Sequence, residues 1–154
     1  MAFDFHNLDD LTRRLMLSEV DLDESTTIYL GLRLNPAGAQ AWLGLLREAC
    51  AEGDETTLAA ALGDPGGPYL DAFEVNPSTG IADRHVRKDA GSVLGAGEFN
   101  RFYMRALCLR AAEEGRGLAI YRARMSAKPS ESSQKKIGNR GPKARTAPLP
   151  FGVR

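Results

Sequence analysis

Two histidines occur in the chain, and one of them, His85, sits among Arg84, Arg87 and Lys88, cations whose presence suits a neutral imidazole. The carboxylates Asp83, Asp89 and Glu98 flank the same stretch. With Lys88 they have the residue types of a metal-dependent nuclease centre, and His85, Glu98 and Arg101 form a looser set for acid–base work. Simpler roles cover all of them: a surface histidine on a basic edge, Asp89 as a helix cap, and Glu98 as the ion-pair partner of Arg101 or Arg105. The residues GAGEFN at 95–100 put two glycines at an expected helix start. Free N–H groups there, beside Arg101 and Arg105 and with Arg84, Arg87 and Lys88 nearby, would bind a phosphate or carboxylate. The third glycine and preceding strand of a dinucleotide-binding loop are missing. Cys50 and Cys108 lie inside helical patterns rather than in a CxxC or Cys/His cluster, which predicts small buried side chains. The balance favours a protein that is not an enzyme, with no catalytic residues, no cofactor and no metal.

The elements that must position these groups change character along the chain. Asn7 can cap a short first helix carrying Leu8, Leu11 and Leu15, with Asp9 and Asp10 in its first turn. After the polar break DLDE, Ser25 can cap a second segment in which Ile28, Tyr29 and Leu32 share a face, weakened by Gly31. Asn35 as cap and Pro36 at the first helical position open a clear helix, with Ala39, Trp42, Leu43, Leu46, Ala49 and Cys50 on one stripe and a stop at Gly53. Asp54 caps a shorter helix that ends at GDPGGP. Past that break, DAFEV and IADRHV alternate around the turn formers NPSTG, predicting a hairpin near residues 71–87. A second amphipathic helix begins near Gly97 with Phe99, Phe102, Tyr103, Ala106 and Leu107 on its apolar face, and stops at Gly115. The run LAIYRAR at 118–124 alternates and is expected to add a third strand beside the hairpin. The fold class is therefore α+β, mainly helical: an N-terminal helical cluster, a small antiparallel sheet, and an amphipathic helix packed on it.

The hydrophobic fraction of 43% and charged fraction of 26% are those of a globular chain, and no apolar run approaches the ~18 residues of a membrane span. The acidic start, MAFDFHNLDD, is unlike a secretory signal, so a cytoplasmic location is expected, free or in a particle assembled there. A net charge of zero hides a strong asymmetry. Residues 1–81 hold 14 acidic residues against 4 basic ones, whereas residues 82–154 hold 6 against 16. Such halves either neutralise each other within one domain or mark a surface for a polyanion or for another copy of the chain.

One globular domain is expected over 1–125, its acidic helical part at 1–66 and its basic hairpin, helix and strand at 67–125. From Ser126 to Arg154 the chain carries seven Lys/Arg against one Glu, with four Pro and three Gly. It cannot bury enough surface to offset the entropy of ordering it, which predicts an extended basic arm. Its anchors for a partner are the charges Lys135, Lys136, Arg140, Lys143, Arg145 and Arg154 and the isolated apolar residues Ile137, Leu149, Phe151 and Val153. The reading that follows is a non-catalytic structural or accessory subunit of a larger bacterial or phage-type assembly, docking through this arm onto a protein partner or another copy. The alternative is a nucleic-acid-binding accessory protein using Arg84, Arg87, Lys88, Arg101, Arg105, Arg110 and the arm. No reader motif accompanies it, and the one conceivable helix-turn-helix, at 36–62, lies in the acidic half.

Overall fold

The computed structural model describes residues 3–76, 78–121, 128 and 130–140. It is mainly helical with a small two-stranded antiparallel sheet, the α+β class that the alternating and helical patterns predict. The elements run α1 (Asp10–Ser25), α2 (Pro36–Glu52), α3 (Glu55–Leu62), β1 (Phe73–Val75), β2 (Ala82–His85), α4 (Ala90–Glu113) and α5 (Glu131–Lys136). No helix among the described residues is long and apolar enough to cross a membrane.

Helix α4 is the centre of the body, with α1, α2 and α3 packed against it. Its Phe99, Phe102, Tyr103 and Ala106 close a core with Met16 and Val20 of α1, Trp42, Leu46 and Cys50 of α2, and Leu58 and Leu62 of α3. Gly91 and Gly95 let α3 come close. A Cβ on Gly91 would sit 2.7 Å from the Gly63 carbonyl oxygen, and one on Gly95 would sit 2.9 Å from the Ala59 nitrogen. The helix that was expected near Gly97 therefore starts at Ala90, because its first two turns pack through bare backbone rather than through large apolar side chains that would reveal a stripe.

The caps of α2 and α3 are those the residue types predict. Asn35 accepts from the Gly38 amide at 2.8 Å, and Asp54 accepts from Thr56 and Thr57. Helix α1 differs from expectation. Asn7 takes a left-handed turn (φ 61°), and Asp9 caps instead, accepting from the Thr12 amide at 3.0 Å. The helix then runs straight through DLDE, whose acidic residues face partners on α2 and α4, so no break occurs there. Residues 26–33 form no helix; Gly31 crosses over Leu94 of α4, and Trp42 pins the segment by donating its indole N–H to the Tyr29 carbonyl at 3.0 Å.

The hairpin is present, with Phe73 opposite His85 and Glu74 opposite Arg84. A third strand beside it is not formed by the described residues 118–121. Ala119 instead bridges to Arg140, because α5 returns the chain to this point. Ser130 caps α5, accepting from the Ser133 amide, while Glu131 and Lys135 and Lys136 match its dipole at the two ends. Gly138, at φ 81°, then turns the chain so that its amide reaches the Ile120 carbonyl at 2.8 Å. This part of the arm is thus a helical turn rather than extended chain, although none of α5 is buried.

Candidate functional site

The charge asymmetry resolves first. Helices α1 and α4 run antiparallel along a seam of complementary side chains. Arg110 binds Asp9 at 2.8 Å, Arg105 binds Glu19 and, at 2.7 Å, Asp23, and Arg101 binds Asp23 and Glu98, each at 2.8 Å. Burial pushes the Asp23 carboxyl up, but hydrogen bonds from Arg105 and Arg101 more than offset it and hold the group below its ordinary value. Burial likewise opposes the charge on Arg105, and its two carboxylates raise it above the usual guanidinium range. The Arg101 and Arg105 planes also lie over the Phe102 ring, at 4.3 and 5.4 Å. Three carboxylates of the acidic half, Asp9, Glu19 and Asp23, are thus matched by three arginines of the basic half.

This settles where the expected anion-binding residues stand. Arg101 and Arg105 are engaged by carboxylates and offer no free fork to a phosphate. Gly95 and Gly97 lie inside the helical ladder of α4, so their amides do not form an anion-binding helix start. Arg84, Arg87 and Lys88 are exposed on and after β2, away from that seam, and Arg87 pairs with Asp89 at 2.6 Å. Asp89 precedes α4 but makes no side-chain cap bond, because this guanidinium holds its carboxylate. His85 packs its ring on Phe73 at 4.4 Å, and Glu98 binds Arg101, so the acid–base set does not converge. The described residues hold no cluster of three metal-ligating side chains, and the Asp83 side chain lies outside them. Cys50 is buried as expected, whereas Cys108 is exposed: it falls on the solvent side of α4.

Of the arm residues, Lys135, Lys136, Ile137 and Arg140 are exposed on or after α5. Lys143, Arg145, Leu149, Phe151 and Arg154 lie outside the described residues.

The feature that the residue patterns concealed is an apolar groove of about 650 Å³. Its walls are the segment Tyr29–Arg33 and strand β1, and its floor is the first two turns of α4, including Val93, Leu94 and Gly97. Leu32 on its rim is 93% exposed, and Val75, Val93, Tyr29 and Phe73 are all at least 44% exposed. The walls are held in place: Arg33 binds Glu74 at 2.6 Å, Leu34 bridges Leu70, and the Asp71 amide donates to the Arg33 carbonyl. Asp71, Glu74 and Glu98 line the groove against one cation, Arg33. A signal did exist in the residues, since IYLGLRL is too apolar for a loop and is interrupted by a glycine that prevents a clean helix.

A second cavity of about 530 Å³ lies between α3 and α4, lined by Glu55, Asp64, Lys88 and Ser92 among others. Glu55 is 4% exposed; its Oε1 accepts from the Phe3 amide at 2.7 Å, and its Oε2 is buried with no hydrogen-bond partner among the described residues.

Comparison of the chain with protein-family models, with curated proteins and with solved structures gives no match.

Proposed function

We propose that this protein is a non-catalytic subunit or accessory of a larger bacterial or phage-type protein assembly, and that it docks through the apolar groove and the basic arm. The observation that carries this reading is the groove itself. Large apolar side chains stand in water on a rim whose backbone is fixed by an ion pair, a β-bridge and the Trp42 indole bond. Exposed apolar area of this kind is costly to keep in water unless a partner covers it.

The nucleic-acid reading draws less support. Three of its six body cations, Arg101, Arg105 and Arg110, are satisfied by α1 carboxylates, which leaves Arg84, Arg87, Lys88 and the arm. The deciding experiment is Leu32→Asp in the full chain. Leu32 is outside the core, so the variant folds as the parent does. Light scattering after size exclusion, or co-purification with the partner, then reads the loss of association. Unchanged association removes the groove from the reading, and DNA or RNA binding that weakens steeply with salt would favour the alternative.

A further inference from the structure

Resting on that docking reading, we infer that the groove's occupant is the C-terminal stretch of a second copy of this chain, residues 146–154, laid in as an extended peptide. Four observations converge on it.

The first is the pattern of the stretch. In TAPLPFGVR the apolar residues Leu149, Phe151 and Val153 alternate, so an extended backbone puts them on one side. Pro148 and Pro150 exclude a helix, and each biases the residue before it toward extended backbone. They also lack the N–H groups that pairing along a strand edge would use, so recognition falls to side chains entering a groove rather than to strand addition. Aromatic-walled grooves suit such segments, and Tyr29 and Phe73 supply the aromatic walls here.

The second is charge. Residues 141–154 carry Lys143, Arg145 and Arg154 and no acidic residue. The groove is lined by Asp71, Glu74 and Glu98; Glu74 is paired with Arg33 and Glu98 with Arg101, which leaves a net negative charge at Asp71. The two surfaces are complementary in sign, which favours this orientation of encounter over other apolar contacts.

The third is size. A cleft of about 650 Å³ is within the range that holds a few large side chains. One leucine, one phenylalanine and one valine side chain together need less than that volume.

The fourth is reach, which separates a second copy from the same chain. The arm is tied to the body where Arg140 bridges Ala119, and the neighbouring Tyr121 hydroxyl bonds the Tyr103 hydroxyl at 3.0 Å. Tyr103 is nine residues from Leu94 on the groove floor. At ~3.6 residues per turn that is about two and a half turns, so the arm is rooted on the opposite side of α4. Leu149 is nine residues past Arg140. A chain of that length spans about 30 Å when fully taut, and to enter its own groove it would spend much of that length passing round α4, a helix about 10 Å across. A neighbouring copy needs no such path. The contact is then heterologous, groove of one copy to tail of the next, and it propagates unless a ring closes.

The experiment uses the full chain and three variants: Leu32→Asp in the groove, Phe151→Asp in the tail, and Lys143→Glu as a charge probe. Light scattering across a concentration series reads the mass. The parent is expected to rise above the 16.7 kDa of one chain, both aspartate variants to stay at one chain mass, and K143E to associate more weakly. Mixing L32D with F151D is the sharp test. Each retains one intact half, so the mixture should form a one-to-one pair and nothing larger. Association lost in L32D but untouched in F151D overturns the tail as occupant and leaves the groove reading standing. Association untouched in L32D overturns both. A strictly monomeric parent in which a labelled peptide of residues 146–154 binds only after F151D is introduced shows the tail seated in its own groove, and overturns the second copy.

Discussion

Asp23 of α1 and Arg105 of α4 are 2.7 Å apart, although 82 residues separate them in the chain. The same carboxylate takes Arg101 on its other oxygen, so one acidic side chain joins two turns of α4 to α1. The contact is largely shielded from water, with Asp23 at 12% and Arg105 at 30% side-chain exposure.

Removing Asp23 therefore leaves two guanidiniums with fewer acceptors in a partly desolvated seam. Asp23→Ala is expected to cost about 2 kcal/mol of unfolding free energy. Arg105→Gln should cost less, because Asp23 keeps Arg101. The double variant should cost less than the two combined, since the residues share one network. Urea titration followed by the fluorescence of buried Trp42 measures all three.

Acid should destabilise the fold in a defined window. Asp9 is held down at about 2 by the Thr12 amide and by Arg110, and Asp23 and Asp54 are also lowered. A carboxylate whose folded value lies below its unfolded one contributes stability above the unfolded value of about 4 and loses it as pH falls through the folded value. Urea midpoints should be flat above pH 5 and fall between pH 4 and pH 2. Asp9→Asn should flatten part of that fall.

The two thiols should react very differently. Burial pushes Cys50 up to about 12, whereas Cys108 is exposed. At pH 8 iodoacetamide should add one label per native chain, at Cys108, and two after denaturation. Peptide mass spectrometry locates them. Native labelling of Cys50 would mean that α2 opens.

Two glycines of α4 should respond to alanine with opposite signs. A Cβ at Gly95 meets α3 backbone at 2.9 Å, so Gly95→Ala should cost roughly 1–3 kcal/mol. A Cβ at Gly97 meets nothing within 4 Å, so Gly97→Ala should stabilise by about 0.5–1 kcal/mol through helix propensity. Thermal unfolding of both variants checks the pair.

What the residues revealed, and what they concealed, follows from range. Local chemistry was legible: Asn35 with Pro36, Asp54 with Thr57, and NPSTG between alternating runs define α2, α3 and the hairpin without any tertiary help. The errors lie where tertiary contacts override a local signal. DLDE reads as a break because its acidic residues look solvated, yet Asp23 is satisfied by Arg101 and Arg105 from far along the chain. The start of α4 is hidden because Gly91 and Gly95, poor helix residues in isolation, are what allow α3 to touch it. LAIYRAR alternates like a strand, but its described part pairs with Arg140 rather than with the hairpin. The groove as a whole was illegible because it joins segments near residues 30, 73 and 93, and only the first, IYLGLRL, is distinctive alone.

The Tyr103 hydroxyl donates to the His6 carbonyl and meets the Tyr121 hydroxyl, whose ring stacks on His6 at 4.3 Å. Both ends of the body thus converge on one phenol midway along its central helix. Losing that phenol, as in Tyr103→Phe, should therefore loosen the leading segment near His6 and the segment at Tyr121 together.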